Sequence, residues 1–156
     1  MDVSIDGPVT GWPRQLVGLY HRTAPGDRVV LPVPERVEPR PFPGLRDLVV
    51  GGGFQASRGK RHEIVRSRSL PDTVGPDMRL LICGLNPSEY AADAGTGFAH
   101  PGNRFWPAAI GARLVVEDRD PLAALGRGVG MTDLVKRATP RAAELATREY
   151  VEGWTG

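Results

Sequence analysis

The sequence predicts an α/β fold of the doubly wound type, with an incomplete parallel sheet. The first observation is the apolar run "RLLICG" at residues 79 to 84, which is typical of a parallel strand covered on both faces. The second is the order of the elements from there on: strand, loop, helix, helix, strand and helix. Two strands cannot cover these helices. Either the front of the chain supplies further strands, or the chain is part of a longer domain.

Residues 1 to 75 are predicted to be a poorly ordered, basic and Pro/Gly-rich extension. Six prolines between residues 25 and 43 exclude helices and central strands, and allow only short extended pieces such as residues 28 to 33. The three glycines at 51 to 53 lack the rest of a dinucleotide fingerprint, so we interpret them as a flexible joint. Fast hydrogen exchange is therefore expected through Gly53.

A basic run, "SRGKRHEIVRSRS", occupies residues 57 to 69 and contains five Arg or Lys side chains against one Glu. We interpret it as a solvated linker, because no aromatic side chain is interleaved for base stacking. The alternative is contact with a phosphate backbone.

Capping residues indicate where the later helices begin. One helix is expected to begin near Asn103, a second at Asp120 and a third at Thr139, since each is a residue type that caps helix N-termini. Residues 128 to 135 predict a strand between the second and third helices. The third helix should carry an apolar stripe formed by Ala143, Leu145, Ala146, Tyr150 and Val151.

Composition restricts the class of function. The net charge is +2, and all but two of the 20 basic residues are arginine, which permits nucleic acid as a partner without requiring it. The single cysteine, Cys83, excludes an internal disulfide and a four-cysteine zinc or iron–sulfur site. No apolar run approaches the roughly 18 residues of a membrane span, and the N-terminus lacks a signal-peptide pattern. We therefore expect a cytoplasmic protein that does not contact membranes.

The candidate site lies in "GLNPSEYAADAGTGFAHPGNRFW", residues 84 to 106. Ligands of open α/β sheets bind beyond the carboxyl ends of strands, which is where Asn86 stands. Pro87 holds the backbone of Asn86 extended. A carboxamide cannot take a proton at neutral pH, but it can hold and orient a water molecule. The alternative is an Asn that only stabilises a turn before proline.

This segment resembles the mismatch-specific uracil/thymine DNA glycosylases, a branch of the uracil-DNA glycosylase superfamily, in which "GINPG" is followed by "AGTGF", "AHP" and "NRFW". The downstream "GVGMTDLVKRATPRAAEL" is similar to the next segment of that family, so the resemblance spans about residues 76 to 153. It implies a Rossmann-like glycosylase fold, with residues 76 to 156 as its N-terminal half. The family's second motif, which enters the duplex, has no counterpart, and this implies a chain truncated before that motif. Ser88 replaces the commoner glycine.

The resemblance implies a reaction: hydrolysis of the N-glycosidic bond of uracil or thymine mispaired with guanine in double-stranded DNA, during base excision repair. No metal or cofactor is implied, and a monomer is expected. Asn86 would position the attacking water, and Phe98 would stack on the base extruded from the duplex. Backbone N–H groups near Pro87, Ser88 and Phe98 would hold the carbonyl oxygens of the base. The remaining residues expected at the base are Gly84, Leu85, Pro87, Gly95 and Gly97.

Lys136 and Arg137 are expected to contact DNA phosphates, with a solvated face as the alternative. Two other functions stay open. One is a truncated, non-catalytic remnant of such a glycosylase that binds DNA weakly. The other is a Rossmann-like binder of a small nucleotide, which would need a phosphate loop that the sequence lacks.

Overall fold

The computed structural model of the chain describes residues 5, 11–31, 44–59 and 62–155. In chain order its elements are α1 (Trp12–Tyr20), β1 (Arg28–Val30), α2 (Leu45–Gly51), β2 (Phe54–Ala56), β3 (Glu63–Arg66), β4 (Leu80–Gly84), α3 (Glu89–Ala94), α4 (Phe105–Gly111), α5 (Pro121–Gly126), β5 (Val129–Asp133), a single 3-10 turn (Ala142–Glu144) and α6 (Thr147–Thr155). The predicted α/β class with a small open parallel sheet is confirmed. Among the described helices, none combines the length and apolar character needed to cross a bilayer.

The parallel sheet consists of β4 and β5, paired from Leu80 opposite Val129 to Gly84 opposite Asp133. The two carboxyl ends therefore meet at one edge. The expectation that β4 is covered on both faces is wrong, because Leu81 is 48% exposed and Cys83 is exposed as well. Among the described residues β4 pairs with one strand only, and the apolar core lies on the β5 side. That core contains Trp106, Ala109, Val115, Ala124, Val129 and Met131.

A second sheet and a second core lie in the first half of the chain. The strands β1, β3 and β2 form an antiparallel sheet with β3 in the centre. Helix α1 buries Trp12, Leu16, Leu19 and Tyr20, whose spacing produces one apolar face. The expectation of only short extended pieces is therefore wrong for the described part of this half. The densest prolines, in the range 32–43, lie outside the described residues. The domain boundary near residue 75 stays a prediction.

The basic run at residues 57 to 69 is not a linker where the structure describes it. Strand β3 pairs with both of its neighbours, which excludes a solvated segment at those positions. Arg66 is 5% exposed, and its guanidinium carbon lies 3.1 Å from the centre of the Tyr20 ring. Because the Arg66 guanidinium makes this cation–π contact, it is not free to bind a DNA phosphate, the alternative that sequence analysis left open for the basic run. Lys60 and Arg61 lie outside the described residues.

The helices that precede β5 begin close to the predicted caps. The Asn103 side chain accepts a hydrogen bond from the Phe105 N–H at 2.8 Å just before α4, and Asp120 accepts one from the Ala123 N–H at 2.8 Å at the start of α5. The last helix was placed wrongly. It begins at Thr147 and not at Thr139. Thr139 does not cap a helix, because it is 2% exposed and its hydroxyl bonds inside the molecule.

Candidate active site

A cavity of about 410 Å³ opens at the carboxyl ends of β4 and β5. This volume is within the usual range for small-molecule sites. Every residue that sequence analysis assigned to catalysis or base binding lines it: Gly84, Leu85, Asn86, Pro87, Ser88, Gly95, Gly97 and Phe98. The structure thus brings the Asn-Pro turn and the glycine loop together around one space. Whether each residue has the predicted role stays a prediction.

The side chain of Asn86 is held by three acceptors that share the two hydrogens of its amide nitrogen. Its Nδ2 donates to the Thr139 Oγ1 at 2.8 Å, to the Pro87 carbonyl at 3.0 Å and to the Arg137 carbonyl at 3.1 Å. The Thr139 hydroxyl donates its own hydrogen to the Arg141 carbonyl, so it must accept from Asn86. Since all three neighbouring oxygens accept, the amide nitrogen, and not the amide oxygen, faces them. The opposite atom, Oδ1, is left without a donor among the described residues, and can accept from water.

Phe98 lines the cavity and is half-buried. Its ring is stacked on Phe105, with ring centroids 4.3 Å apart and planes at 28°. Phe98 has a φ of +57°, a left-handed conformation that is unusual for a bulky residue. Strained backbone of this kind is often found at functional sites. The Phe98 N–H has no acceptor among the described residues, so it is available to a bound molecule.

The loop that carries Phe98 is held from both sides. The indole nitrogen of Trp106 donates to the Gly97 carbonyl at 2.9 Å, and Trp106 is fully buried. Gly95 ends α3 with a φ of +68°, which glycine adopts without a steric penalty. A Cβ on Gly95 would lie 3.4 Å from the His21 ring and 3.5 Å from the Tyr20 ring. These are ordinary contacts, so it is the left-handed backbone that already favours glycine here, whatever the residue contributes to base binding.

Ser88 has a role in the fold that sequence analysis did not foresee. Its hydroxyl accepts a hydrogen bond from the Ala91 N–H at 3.1 Å and caps α3. The residue still lines the cavity, but the hydroxyl is directed to the helix. Substitution of the commoner glycine by serine at this position is consistent with a need for that cap.

Asp133 is a cavity residue that sequence analysis did not assign. It ends β5 opposite Gly84, and a Cβ on Gly84 would overlap the Asp133 Oδ1. The same Cβ position lies 3.7 Å from the tip of the Phe98 ring, so the carboxyl and the ring approach each other over the glycine. Burial raises the pKa of Asp133 to about 6; Lys136 opposes this shift and Asp72 adds to it. Because β5 pairs in parallel with β4, its last residue lies at the same sheet edge as Gly84, and this pairing is the signal that would have indicated Asp133.

The two basic residues expected at DNA are engaged within the molecule. The Lys136 ammonium pairs with Asp72 and donates to the Thr132 hydroxyl. The Arg137 guanidinium donates to both carboxylate oxygens of Glu149, at 2.7 and 2.9 Å. Neither side chain lines the cavity. Their contact with phosphates stays a prediction, and it would require these pairs to be shared or broken.

An α/β protein with a cavity at the strand ends, a fixed amide and a half-buried aromatic ring is suited to bind a flat, uncharged ligand. In the comparison with protein families, residues 71–153 match the family model described as Uracil DNA glycosylase superfamily. The match covers more than half of the chain, and the chain belongs to this superfamily. Its members are DNA glycosylases, which are hydrolases of base excision repair and act on DNA.

Proposed function

We propose that this protein is a mismatch-specific glycosylase that removes uracil or thymine paired with guanine in double-stranded DNA, as a cytoplasmic monomer without metal or cofactor. The observation that carries the proposal is that the Asn86 amide and the Phe98 ring line one cavity at the strand ends. An attacking water and an extruded base must be held together in such a space.

In the proposed reaction Asn86 orients water through its Oδ1. The bond between the base nitrogen and C1′ of the deoxyribose breaks, and its electron pair leaves with the base. The water oxygen forms a bond to C1′ and releases one proton to solvent, and the departing base anion takes up one proton from solvent, so the sugar gains OH and the base gains H. Asn86 accepts no proton itself, because a carboxamide is not basic at neutral pH. Its contribution is orientation, which the three acceptors around Nδ2 supply in advance.

The loop around Phe98 would bind the base. A pyrimidine stacking on the side of the Phe98 ring opposite Phe105 would extend the stack already formed with Phe105. The Phe98 N–H would donate to a carbonyl oxygen of the base, and this interaction would strengthen as negative charge develops on the base. Preference for mispaired bases is expected because extrusion from the duplex is easiest where pairing is weakest.

A second candidate function is that of a non-catalytic relative of the glycosylases that binds DNA weakly. The observation in its favour is the apolar surface on the described part of the chain. Strand β4 has one partner strand there, Leu81 is 48% exposed and Trp154 is 82% exposed. Such surface is usually covered in a working enzyme.

Single-turnover cleavage of a G·U duplex tests the proposal, with G·T, A·U and G·C duplexes alongside. Abasic sites are expected from the two mismatches, at least tenfold faster than from A·U. Asn86→Ala should lower the rate by about 100-fold, the effect typical of losing one orienting polar group. Gln55→Ala, which removes an exposed amide on β2, is the matched control.

The outcomes separate the two candidates. Equal cleavage by Asn86→Ala and the wild type would remove the assigned role of the amide. Saturable binding to the G·U duplex without any cleavage would favour the non-catalytic relative.

A further inference from the structure

One wall of the cavity comes from α1, which lies outside the residues that match the superfamily. Val17 and His21 line the cavity from this helix and its C-terminal end. The His21 N–H donates to the Val17 carbonyl at 3.2 Å and continues the last turn of α1. Part of the surface that meets a ligand is therefore supplied by the first half of the chain.

The His21 ring is held in place by its neighbours. It contacts the Tyr20 ring edge to face, with centroids 5.2 Å apart. The Tyr20 hydroxyl lies 2.6 Å from the Ser69 carbonyl and 3.1 Å from the Ala92 carbonyl, which anchors the end of α1 next to α3. The imidazole lies over Gly95, where a Cβ would be 3.4 Å from its Cε1. It is thus adjacent to the loop that leads to Phe98.

The chemistry of His21 suits contact with an uncharged base. His21 is exposed on its solvent side, but desolvation of its ring and, to a smaller extent, the guanidinium of Arg66 lower its pKa and so favour the neutral imidazole. A neutral imidazole has one donor and one acceptor nitrogen. Neither nitrogen is hydrogen-bonded to another described residue. A flat group with unused polar edges therefore faces the space proposed for the pyrimidine.

We propose that His21 is a specificity-determining residue whose imidazole contacts the extruded pyrimidine and limits the substituent accepted at its 5-position. The inference rests on the proposed glycosylase function. Uracil and thymine differ only by the methyl group at that position, so a side chain that sets the width of the cavity there controls the choice between them. One methyl group changes discrimination by about tenfold or more in a fitted pocket.

The test compares kcat/KM for G·T and G·U duplexes in the full chain. His21→Ala opens the wall and should raise the ratio of G·T to G·U cleavage about tenfold. His21→Phe keeps a ring at this wall and should leave the ratio unchanged, whereas a rise as large as that of His21→Ala would overturn a steric role. Arg22→Ala, an exposed neighbour that does not line the cavity, should also leave it unchanged.

The possible failures are distinguishable. An unchanged ratio in His21→Ala overturns the role of His21, while loss of cleavage in Asn86→Ala would still support the glycosylase. If the wild type cleaves no duplex, the proposed function fails. The same variants are then compared by Kd for duplexes that carry the 2′-fluoro analogue of deoxyuridine or thymidine opposite guanine. A tenfold change in the ratio of Kd values in His21→Ala supports the contact, and an unchanged ratio overturns it.

Discussion

Thr139 is the side chain through which Asn86 is oriented. Its hydroxyl is the nearest of the three acceptors of Nδ2, at 2.8 Å, and it is buried. The same hydroxyl donates its hydrogen to the Arg141 carbonyl at 2.9 Å, so toward Asn86 it can only accept. A residue that the sequence suggested as a helix cap thus determines which end of the amide meets the cavity.

Thr139→Val is expected to lower the single-turnover rate on the G·U duplex about tenfold, the equivalent of one net hydrogen bond. The amide loses one of its acceptors and is held less firmly. Thr139→Ser keeps the hydroxyl and should restore most of the rate. Binding of the duplex, measured by fluorescence anisotropy, should be unchanged in both variants. A serine variant as slow as the valine variant would contradict an orienting role for the hydroxyl.

Asp133 makes stability depend on pH in a direction opposite to that of most carboxylates. Its pKa is raised to about 6 in the folded chain from an ordinary value of 3.8, because burial disfavours the charged form. The folded state therefore binds this proton more tightly than the unfolded state. The favourable contribution is complete below about pH 4, and is lost as pH rises through about 6.

Asp133→Asn is expected to raise the free energy of unfolding relative to the wild type at pH 7.5, by at most about 3 kcal/mol. The difference between the two proteins should shrink toward pH 4, where the wild-type carboxyl is protonated in the folded state. Urea unfolding followed by fluorescence at several pH values measures it. A difference that does not vary with pH would show that the carboxyl is solvated and titrates normally.

At the scale of elements, local signals predicted the second half of the chain well. Strand β5 and helices α4 and α5 follow from apolar runs and capping residues, which act within a few positions of the chain. The start of α6 was missed because the Thr139 hydroxyl bonds to groups distant in sequence. The exposure of β4 was missed for a related reason. An apolar run indicates a strand, but the number of partner strands is a property of the tertiary fold.

Sequence analysis predicted which residues of one segment line the candidate site, but not how distant elements complete it. Asn86 and Phe98 belong to one short segment of the sequence, so the resemblance of that segment to a known family predicted both as site residues. Asp133 and His21 reach the cavity from elements far away in the chain, and only the packing of α1 and the register of β5 bring them there. Proline density likewise obscured α1, whose apolar face is a local signal in its own right.

Helix α6 packs against the backbone of Leu134 at Gly153, the one glycine of the helix. A Cβ on Gly153 would overlap the Leu134 carbonyl oxygen, which belongs to the backbone and cannot move aside. Gly153→Ala is therefore expected to destabilise the protein by about 1–3 kcal/mol, as overpacking does. In α1, a Cβ on Gly18 meets no described atom within 4 Å. Gly18→Ala is the matched control, and should stabilise by about 0.5–1 kcal/mol. Urea unfolding of both variants measures the contrast, and similar effects in the two would contradict it.

At the scale of the whole molecule, two cores are joined next to the cavity. The first contains α1 and the antiparallel sheet, and the second lies between β5 and helices α4 and α5. Tyr20 belongs to the first core, and its hydroxyl bonds to the Ser69 and Ala92 carbonyls. Arg68 adds ion pairs to Glu89 and Asp93, but these are exposed and contribute little. The buried tyrosine is therefore the main polar connection between the first core and α3.

Because β3 is the central strand of a sheet that packs on α1, its amides should exchange slowly with solvent. The Gly52 N–H donates to the Leu48 carbonyl at 2.9 Å and the Gly53 N–H donates to the Val50 carbonyl at 3.0 Å, so this protection should extend to the glycines after α2. Tyr20→Phe is expected to lower the free energy of unfolding by about 1–2 kcal/mol, and to speed exchange in α1 and α3 together. Hydrogen exchange followed by mass spectrometry measures both effects.

Tyr90→Phe is the control for this experiment, since Tyr90 is 51% exposed and its hydroxyl makes no hydrogen bond within the described residues. Faster exchange in α1 alone, with α3 unaffected, would show that the two cores open independently. In that case the wall formed by His21 would be lost without unfolding of the loop that carries Phe98, and the cavity would lose its selectivity before its stacking surface. Fast exchange through Gly53 in the wild type would instead support the flexible joint expected from the glycine run.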